Sequence, residues 1–319
     1  MDRKKVLITR DLPGDAIKFL EADCDLLCAP SKDEMPRARL LELIPEADAL
    51  ICLLSEKIDK EVISKAPKLK VISNYAVGYN NIDVEFATKS GIYVTNTPDV
   101  LTEATADLAW ALLLCTARRI VEGDSLVRQN QFTGWAPDLL LGLDVSCKTL
   151  GIVGLGRIGL AVARRASGFG MKVVYWSKKR KEDLEEKYNL EYETLDDLLE
   201  LADFVSLNVA LTEETHHLIG QREFSLMKKS AILINTARGQ VVDEAALVEA
   251  LKSGQIRAAG LDVYENEPQV HPGLLGLENV VLAPHVGSGT IDTRAKMAEM
   301  VVLDVLTALK GHKPINAIN

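Results

Sequence analysis

Short apolar runs alternate with segments of helical period along nearly the whole chain. The first half carries such runs at residues 6–9, 24–28, 49–54, 71–73 and 92–95. Each is bounded by turn residues, as at Pro13 and Gly14, and each is too short for a buried helix. Helical patterns fill the gaps, notably around 37–44 and at 60–65. Strands alternating with helices predict a parallel, doubly wound sheet, here an α/β layer structure of about a hundred residues.

The second half repeats the logic at greater length. Residues 102–119 read as a helix that is apolar almost all round, with Thr102 as its N-cap, and such a helix is expected to be buried between domains or against another subunit. A strand at 150–153, a helical segment at 160–169 and a strand at 171–176 make a βαβ unit. Further strands are predicted at 204–209, 231–236, 258–262 and 280–283, with helices such as 243–253 between them. The reading is an α/β chain of two doubly wound parallel-sheet domains, one spanning 1–98 plus 288–319 and the other 99–287. The last helix, 292–309, returns to the first domain.

Composition narrows the partners. The chain has 319 residues and a formal net charge of −9, a length that favours two domains and a balance that argues against nucleic acid or an anionic membrane. The five cysteines are odd in number and lack zinc-site spacing. They are expected to be reduced, mostly buried thiols of a cytoplasmic protein, and no metal site is expected. The chain enters its first strand directly after Lys5, without the apolar run of a secretory leader. The most apolar helix is too short to span a bilayer and contains Asp107.

The chemistry starts between the first two strands of the second domain. Gly154-Leu155-Gly156-Arg157-Ile158-Gly159 stands at the strand-to-helix turn. Gly154 suits a tight turn, Gly156 suits close approach of a pyrophosphate, and Gly159 suits helix–strand packing. The helix N-terminus adds N–H groups and a positive dipole end. Where a dinucleotide site for NAD usually carries an acid, this sequence has Ser177, Lys178, Lys179, Arg180 and Lys181, with no acid until Glu182. A 2′-phosphate suits that run and an acid would repel it. The cofactor is read as NADP(H), with NAD(H) possible; a solvated basic loop is the competing reading.

Other polar residues gather where the strands end. The loop 74–83 follows a strand of the first domain, and Gly78 can expose backbone N–H groups to an anion. In the second domain Arg238, Asp262 and His285 follow successive strands, with Glu267 in the intervening loop and Pro284 turning the chain before His285. Ketone reduction needs a hydride, a proton donor and a cation for a carboxylate. An imidazole can donate near neutral pH, a neighbouring carboxylate favours its charged form, and an arginine fork suits a 2-oxo acid. His216 and His217 read as surface residues, and His271 and His312 have no convergent partners.

These motifs resemble those of the D-isomer-specific 2-hydroxyacid dehydrogenases. The resemblance rests on Gly154–Gly159, Asn235-Thr236-Ala237-Arg238-Gly239, residues 261–268 ending in Glu267-Pro268, and Pro284-His285-Val286-Gly287-Ser288, in that order. It implies a flavodoxin-like substrate domain, a Rossmann cofactor domain and a cleft between them. It implies that Arg238 binds and polarises the substrate, that Glu267 partners the histidine and that His285 donates the proton. Val77 and Gly78 would give backbone donors to the substrate carboxylate. Thr105 and Asp262 would meet the cofactor phosphate and the nicotinamide amide, and Thr236, Ala237 and Gly287 would line the same cofactor.

Within the family, the basic loop and Trp135-Ala136-Pro137 look most like glyoxylate/hydroxypyruvate reductases, which implies a homodimer acting on a small 2-oxo or 2-hydroxy acid. The rivals are an NAD-dependent dehydrogenase of the 3-phosphoglycerate or D-lactate type and a corepressor-like cofactor sensor. Glu267 argues against formate dehydrogenases, which pair the histidine with glutamine, and no regulatory domain is expected after Asn319. Cys147, Gly289 and Leu139 depart from the usual family residues.

Overall fold

The computed structural model describes residues 3–319; Met1 and Asp2, with which the predicted leaderless start opens, lie outside the described residues. Every pairing within its two sheets is parallel. The chain divides into two compact units, one running to Leu101 and resuming at Ser288–Asn319, the other Thr102–Gly287.

The first unit holds β1 (Lys4–Ile8), β2 (Cys24–Leu26), β3 (Ala49–Cys52), β4 (Val71–Asn74) and β5 (Tyr93–Thr95) in the order β2-β1-β3-β4-β5. That is the flavodoxin-type winding, whose order reverses between β1 and β3. The central strands β3 and β4 are buried at every residue, which is why they read as apolar runs without alternation. The helix Ile291–Leu309 covers this sheet through Met297, Val301, Val302 and Val305. It joins β4 directly, since Ser73 Oγ donates to Val301 O at 3.3 Å.

The second unit holds β6 (Thr149–Val153), β7 (Lys172–Trp176), β8 (Leu190–Tyr192), β9 (Phe204–Leu207), β10 (Ile232–Asn235), β11 (Ala258–Leu261) and β12 (Val280–Leu282), ordered β12-β11-β10-β9-β6-β7-β8. The order reverses between β6 and β9, so the crevice for a ligand lies beyond Val153 and Leu207. The helix Thr102–Ala117 packs within this unit, against the helix Arg157–Ala166 and the strands β10, β11 and β12. Trp110 Nε1 donates to Val162 O at 3.0 Å and its ring stacks on Phe169 at 4.7 Å. The apolar pattern thus serves packing within this unit, where Ala106, Ala109, Trp110, Leu112 and Leu113 are buried. Thr102 is not outside the helix as a cap, being its first residue.

Burial of the cysteines is a second correction. Cys24 and Cys52 are buried, Cys28 and Cys115 half-buried, and Cys147 exposed. Cys147 occupies a left-handed turn (φ 63°) ahead of β6, where the side chain points away from the core layers. Among the described residues no helix is long and apolar enough to cross a membrane.

Candidate active site

The glycine turn after β6 makes the close backbone approaches that its spacing suggests at Gly154 and Gly159. Gly154 has φ +99°, and a Cβ there would lie 2.9 Å from the Asn208 backbone. A Cβ on Gly159 would lie 2.1 Å from Gly154 O, so the turn and the following helix close only with glycine. Gly156 precedes the helix Arg157–Ala166, and a Cβ there would meet nothing within 4 Å. Leu155 is buried while Arg157 and Ile158 open the helix. Along the same edge, Asn208 Oδ1 and Thr236 Oγ1 are buried without a partner among the described residues. An open glycine cradle at a helix N-terminus with unsatisfied polar atoms beside it fits a dinucleotide.

Farther along that edge, the loops after β10, β11 and β12 converge. His285 Nδ1 lies 2.7 Å from Glu267 Oε2. The other carboxylate oxygen, Oε1, accepts from Tyr264 N–H at 2.9 Å, so Glu267 is held at both ends. Burial pushes the Glu267 carboxyl up, but the His285 bond and charge, the Tyr264 N–H and Arg238 outweigh it and hold the group below its ordinary value. The Glu267–Pro268 peptide is cis.

Arg238 is half-buried beyond β10. Its Nη1 donates to Ala237 O at 2.6 Å and its carbonyl accepts from Asn235 Nδ2 at 3.0 Å. Burial lowers the guanidinium's pKa, and the Glu267 charge opposes that. The next residue locks the arginine loop to the glutamate loop, because a Cβ on Gly239 would lie 1.8 Å from the Tyr264 carbonyl carbon.

Asp262 sets the histidine loop. Its carboxylate accepts from Val286 N–H at 2.7 Å and Gly287 N–H at 2.8 Å, and its carbonyl accepts from His285 N–H at 2.9 Å. Burial keeps the carboxyl above its ordinary value against those N–H bonds. Thr105, also buried, stands beside Gly287, where a Cβ would lie 3.3 Å from Thr105 Cγ2.

Some supporting residues escaped the sequence reading. Glu244 is buried, and its Oε1 accepts from Glu265 N–H at 2.8 Å. Gln240 Nε2 donates to Glu265 O at 2.6 Å. His217 is exposed, as expected, yet its Nε2 pairs with Glu265 Oε1 at 2.8 Å. Nothing in the local sequence around positions 217, 240 or 244 points across to residue 265. His271, read as partnerless, caps the helix Pro272–Leu275 through Nδ1 and Gly273 N–H.

The basic run after β7 is only partly open. Arg180 forms a bidentate pair with Glu185 at 2.9 and 2.7 Å and lies over the Tyr192 ring. Glu185 is pulled down to about 2 by Arg180 and by the Tyr175 hydroxyl. Lys178 Nζ stands 3.7 Å from Glu214, and Ser177 Oγ donates to Lys179 O at 2.5 Å. Arg180, expected to face a phosphate, is thus held by a carboxylate five residues on, which spacing along a turn-to-helix segment makes easy. In the first unit the Val77 and Gly78 loop follows β4 beyond the sheet's carboxyl edge. Among the described residues no group of three His, Cys, Asp or Glu is placed to hold a metal ion.

Known proteins resemble this chain along its whole length. The family model described as "D-isomer specific 2-hydroxyacid dehydrogenase, NAD binding domain" matches residues 110–287. A glyoxylate reductase of Pyrococcus horikoshii is 53% identical over 99% of this chain and 96% of its own. A crystal structure of a Thermus thermophilus protein superposes with a TM-score of 0.93 at 46% identity, covering 99% of this chain and 100% of that one. An NADPH-dependent glyoxylate/hydroxypyruvate reductase of Sinorhizobium meliloti, solved with NADP and malonate, has a TM-score of 0.89 at 33% identity over 99% and 97%. A glycine cradle, a histidine–carboxylate pair and these likenesses along the full chain have one explanation: the chain belongs to the D-isomer-specific 2-hydroxyacid dehydrogenase family of nicotinamide-dependent oxidoreductases.

Proposed function

We propose that this enzyme reduces glyoxylate, hydroxypyruvate or a similar small 2-oxo acid to the D-2-hydroxy acid, with NADPH preferred over NADH. The observation that carries the reading is the 2.7 Å pair of His285 and Glu267 beside the half-buried Arg238. The named reductases from Pyrococcus horikoshii and Sinorhizobium meliloti support the substrate class.

When bound, the nicotinamide cofactor supplies the hydride that reduces the carbonyl carbon. Gly154, Gly156 and Gly159 with the helix N-terminus hold its phosphates, and Thr105, Thr236, Ala237, Asp262 and Gly287 line its place along the sheet edge. Arg238 grips the 2-oxo acid through its planar fork, and the Val77 and Gly78 backbone receives the carboxylate. Glu267 fixes the Nδ1 side of His285, which leaves Nε2 to give its proton to the carbonyl oxygen. In the reverse direction the same nitrogen takes the proton.

The cofactor preference rests on Ser177, Lys178 and Lys179, with Arg180 available in so far as it can exchange Glu185 for a phosphate. A homodimer also fits. The helix Ile120–Arg128 has no buried residue, and Ile120, Val121, Val127 and Leu141 are left exposed. Turnover of a panel of 2-oxo acids with each cofactor tests the reading. Efficient reduction of glyoxylate or hydroxypyruvate with NADPH is expected; absence of turnover with every acid overturns it.

A further inference from the structure

In the loop after β4, consecutive carbonyls are each turned toward a buried donor of the same unit. Thr97 N–H donates to Ala76 O at 3.0 Å, Asn96 Nδ2 to Val77 O at 2.7 Å, and Asn74 Nδ2 to Gly78 O at 2.7 Å. Asn74 is fully buried and Asn96 is 7% exposed. The acceptors settle the orientation of both amides, since only the NH2 end can face a carbonyl oxygen.

In a trans peptide the N–H points opposite its own carbonyl. Holding the carbonyls of residues 76, 77 and 78 inward therefore turns the N–H groups of Val77, Gly78 and Tyr79 outward. Among the described residues none of these N–H groups meets an acceptor. Consecutive outward N–H groups are what an anion needs from a backbone.

The asparagine is itself braced. Asn74 and Asn81 exchange amide hydrogen bonds at 3.3 Å in both directions. Asn81 Nδ2 also reaches Leu53 O and Glu56 O, each at 3.1 Å. Glu56, 7% exposed, accepts from Leu53 N–H at 2.6 Å and from Thr9 Oγ1 at 2.7 Å. The loop is thereby tied to the ends of β1 and β3, where the strand order reverses and ligands gather.

We propose that Asn74 and Asn96 are positioning residues of the carboxylate site, and that Tyr79 N–H joins Val77 and Gly78 in receiving the substrate carboxylate. The inference rests on the reading of that backbone as the carboxylate's receptor. Neither asparagine is assigned contact with the substrate; each acts through a carbonyl.

Asn74→Ala and Asn96→Ala in the full chain test it, with Asn96→Ala decisive if the other variant does not fold. Two readouts are needed. KM is compared for glyoxylate and for its uncharged methyl ester, and short-pulse amide exchange follows the peptide spanning 74–83 with cofactor bound, with and without oxalate. The expected result is a roughly tenfold rise in KM for the acid, little change for the ester, and loss of the protection that oxalate gives this peptide in the parent. If the variants keep that protection at the same oxalate concentration, the positioning role is wrong. If the parent itself shows no protection there, the backbone is not the carboxylate's receptor and the underlying reading falls instead. Equal losses for acid and ester also overturn the proposal, since they report a general collapse of the site.

Discussion

His285 reaches Glu267 Oε2 at 2.7 Å from a backbone in the left-handed region, at φ 54°. A non-glycine residue there costs about 1–2 kcal/mol. The Asp262 carboxylate and carbonyl offset that by taking three successive N–H groups of residues 285–287. The imidazole is thus placed by its own loop and oriented by its partner.

His285→Gln tests the donor. It keeps a side chain of similar reach but cannot supply a proton at neutral pH. We expect kcat to fall about 10²–10⁴-fold with cofactor affinity nearly unchanged. A kcat within twofold of the parent in a stopped-flow assay would reject His285 as the donor.

Glu267→Gln tests the pair. Removing the negative charge takes away the ionic partner that orients the imidazole, so the activity profile for reduction should fall. Stability should respond as well. The folded carboxyl lies below its unfolded value, about 4.3. The ion therefore contributes stability above that pH and loses it as pH falls through the folded value. The Tm gap between parent and variant should be open at pH 7 and close in strong acid. A gap that ignores pH, with an unmoved activity profile, argues against the pairing.

The same loops show where sequence reading works and where it stops. The strands β3, β4, β9 and β10 were legible because burial on both faces leaves apolar runs, and the glycine turn because backbone contacts of 2–3 Å admit no other residue. Arg238 and His285 stand out as polar residues just beyond strand ends, and Glu267 as an acid in the loop between β11 and β12. The short edge strand β8, with a single buried residue, carries too little pattern to find. The helix Ile120–Arg128 buries nothing. Asn74 reads from sequence only as part of a loop and Asn96 carries no signal at all, because only coordinates reveal which carbonyl an amide faces. The Arg180–Glu185 pair was missed for the same reason: a run of like charges says nothing of the acid that folds back onto it.

Asp262→Asn probes the support beneath the histidine. One acceptor becomes an NH2 facing a backbone N–H, leaving a buried donor unpaired at a cost of about 1–3 kcal/mol. We expect kcat to fall and Tm to drop by several degrees, with KM for the 2-oxo acid little changed. An unchanged kcat would mean that the His285 loop holds its geometry without this carboxylate.

Arg238→Lys separates charge from shape. Lysine keeps the cation but loses the planar fork, and its ammonium is the more strongly desolvated in a half-buried position. KM for glyoxylate should rise and kcat should fall together. Identical constants in parent and variant would mean that the Arg238 fork does not grip the substrate.

The cofactor loop gives the last prediction, and the Arg180–Glu185 pair sharpens it. Ser177 and Lys178 follow the strand β7 without an acid, and Lys178 is mostly exposed. Exposure and salt weaken any phosphate contact they make, so the preference for NADPH in kcat/KM should be about tenfold to a few hundredfold. Raising ionic strength should shrink it. Ser177→Asp with Lys178→Ala should reverse it, because the new carboxylate accepts from a free ribose hydroxyl and repels a 2′-phosphate. Glu185→Gln should act in the other direction. It removes the charge that occupies Arg180 at 2.7 Å, and a guanidinium so released can turn to the phosphate. Preference should then rise severalfold without any change at Ser177. All three arms use the same assay, kcat/KM for each cofactor at low and high salt. If the parent prefers NADH, or if neither variant nor salt moves the ratio, the basic run is a solvated loop and NADPH selection has no basis in it.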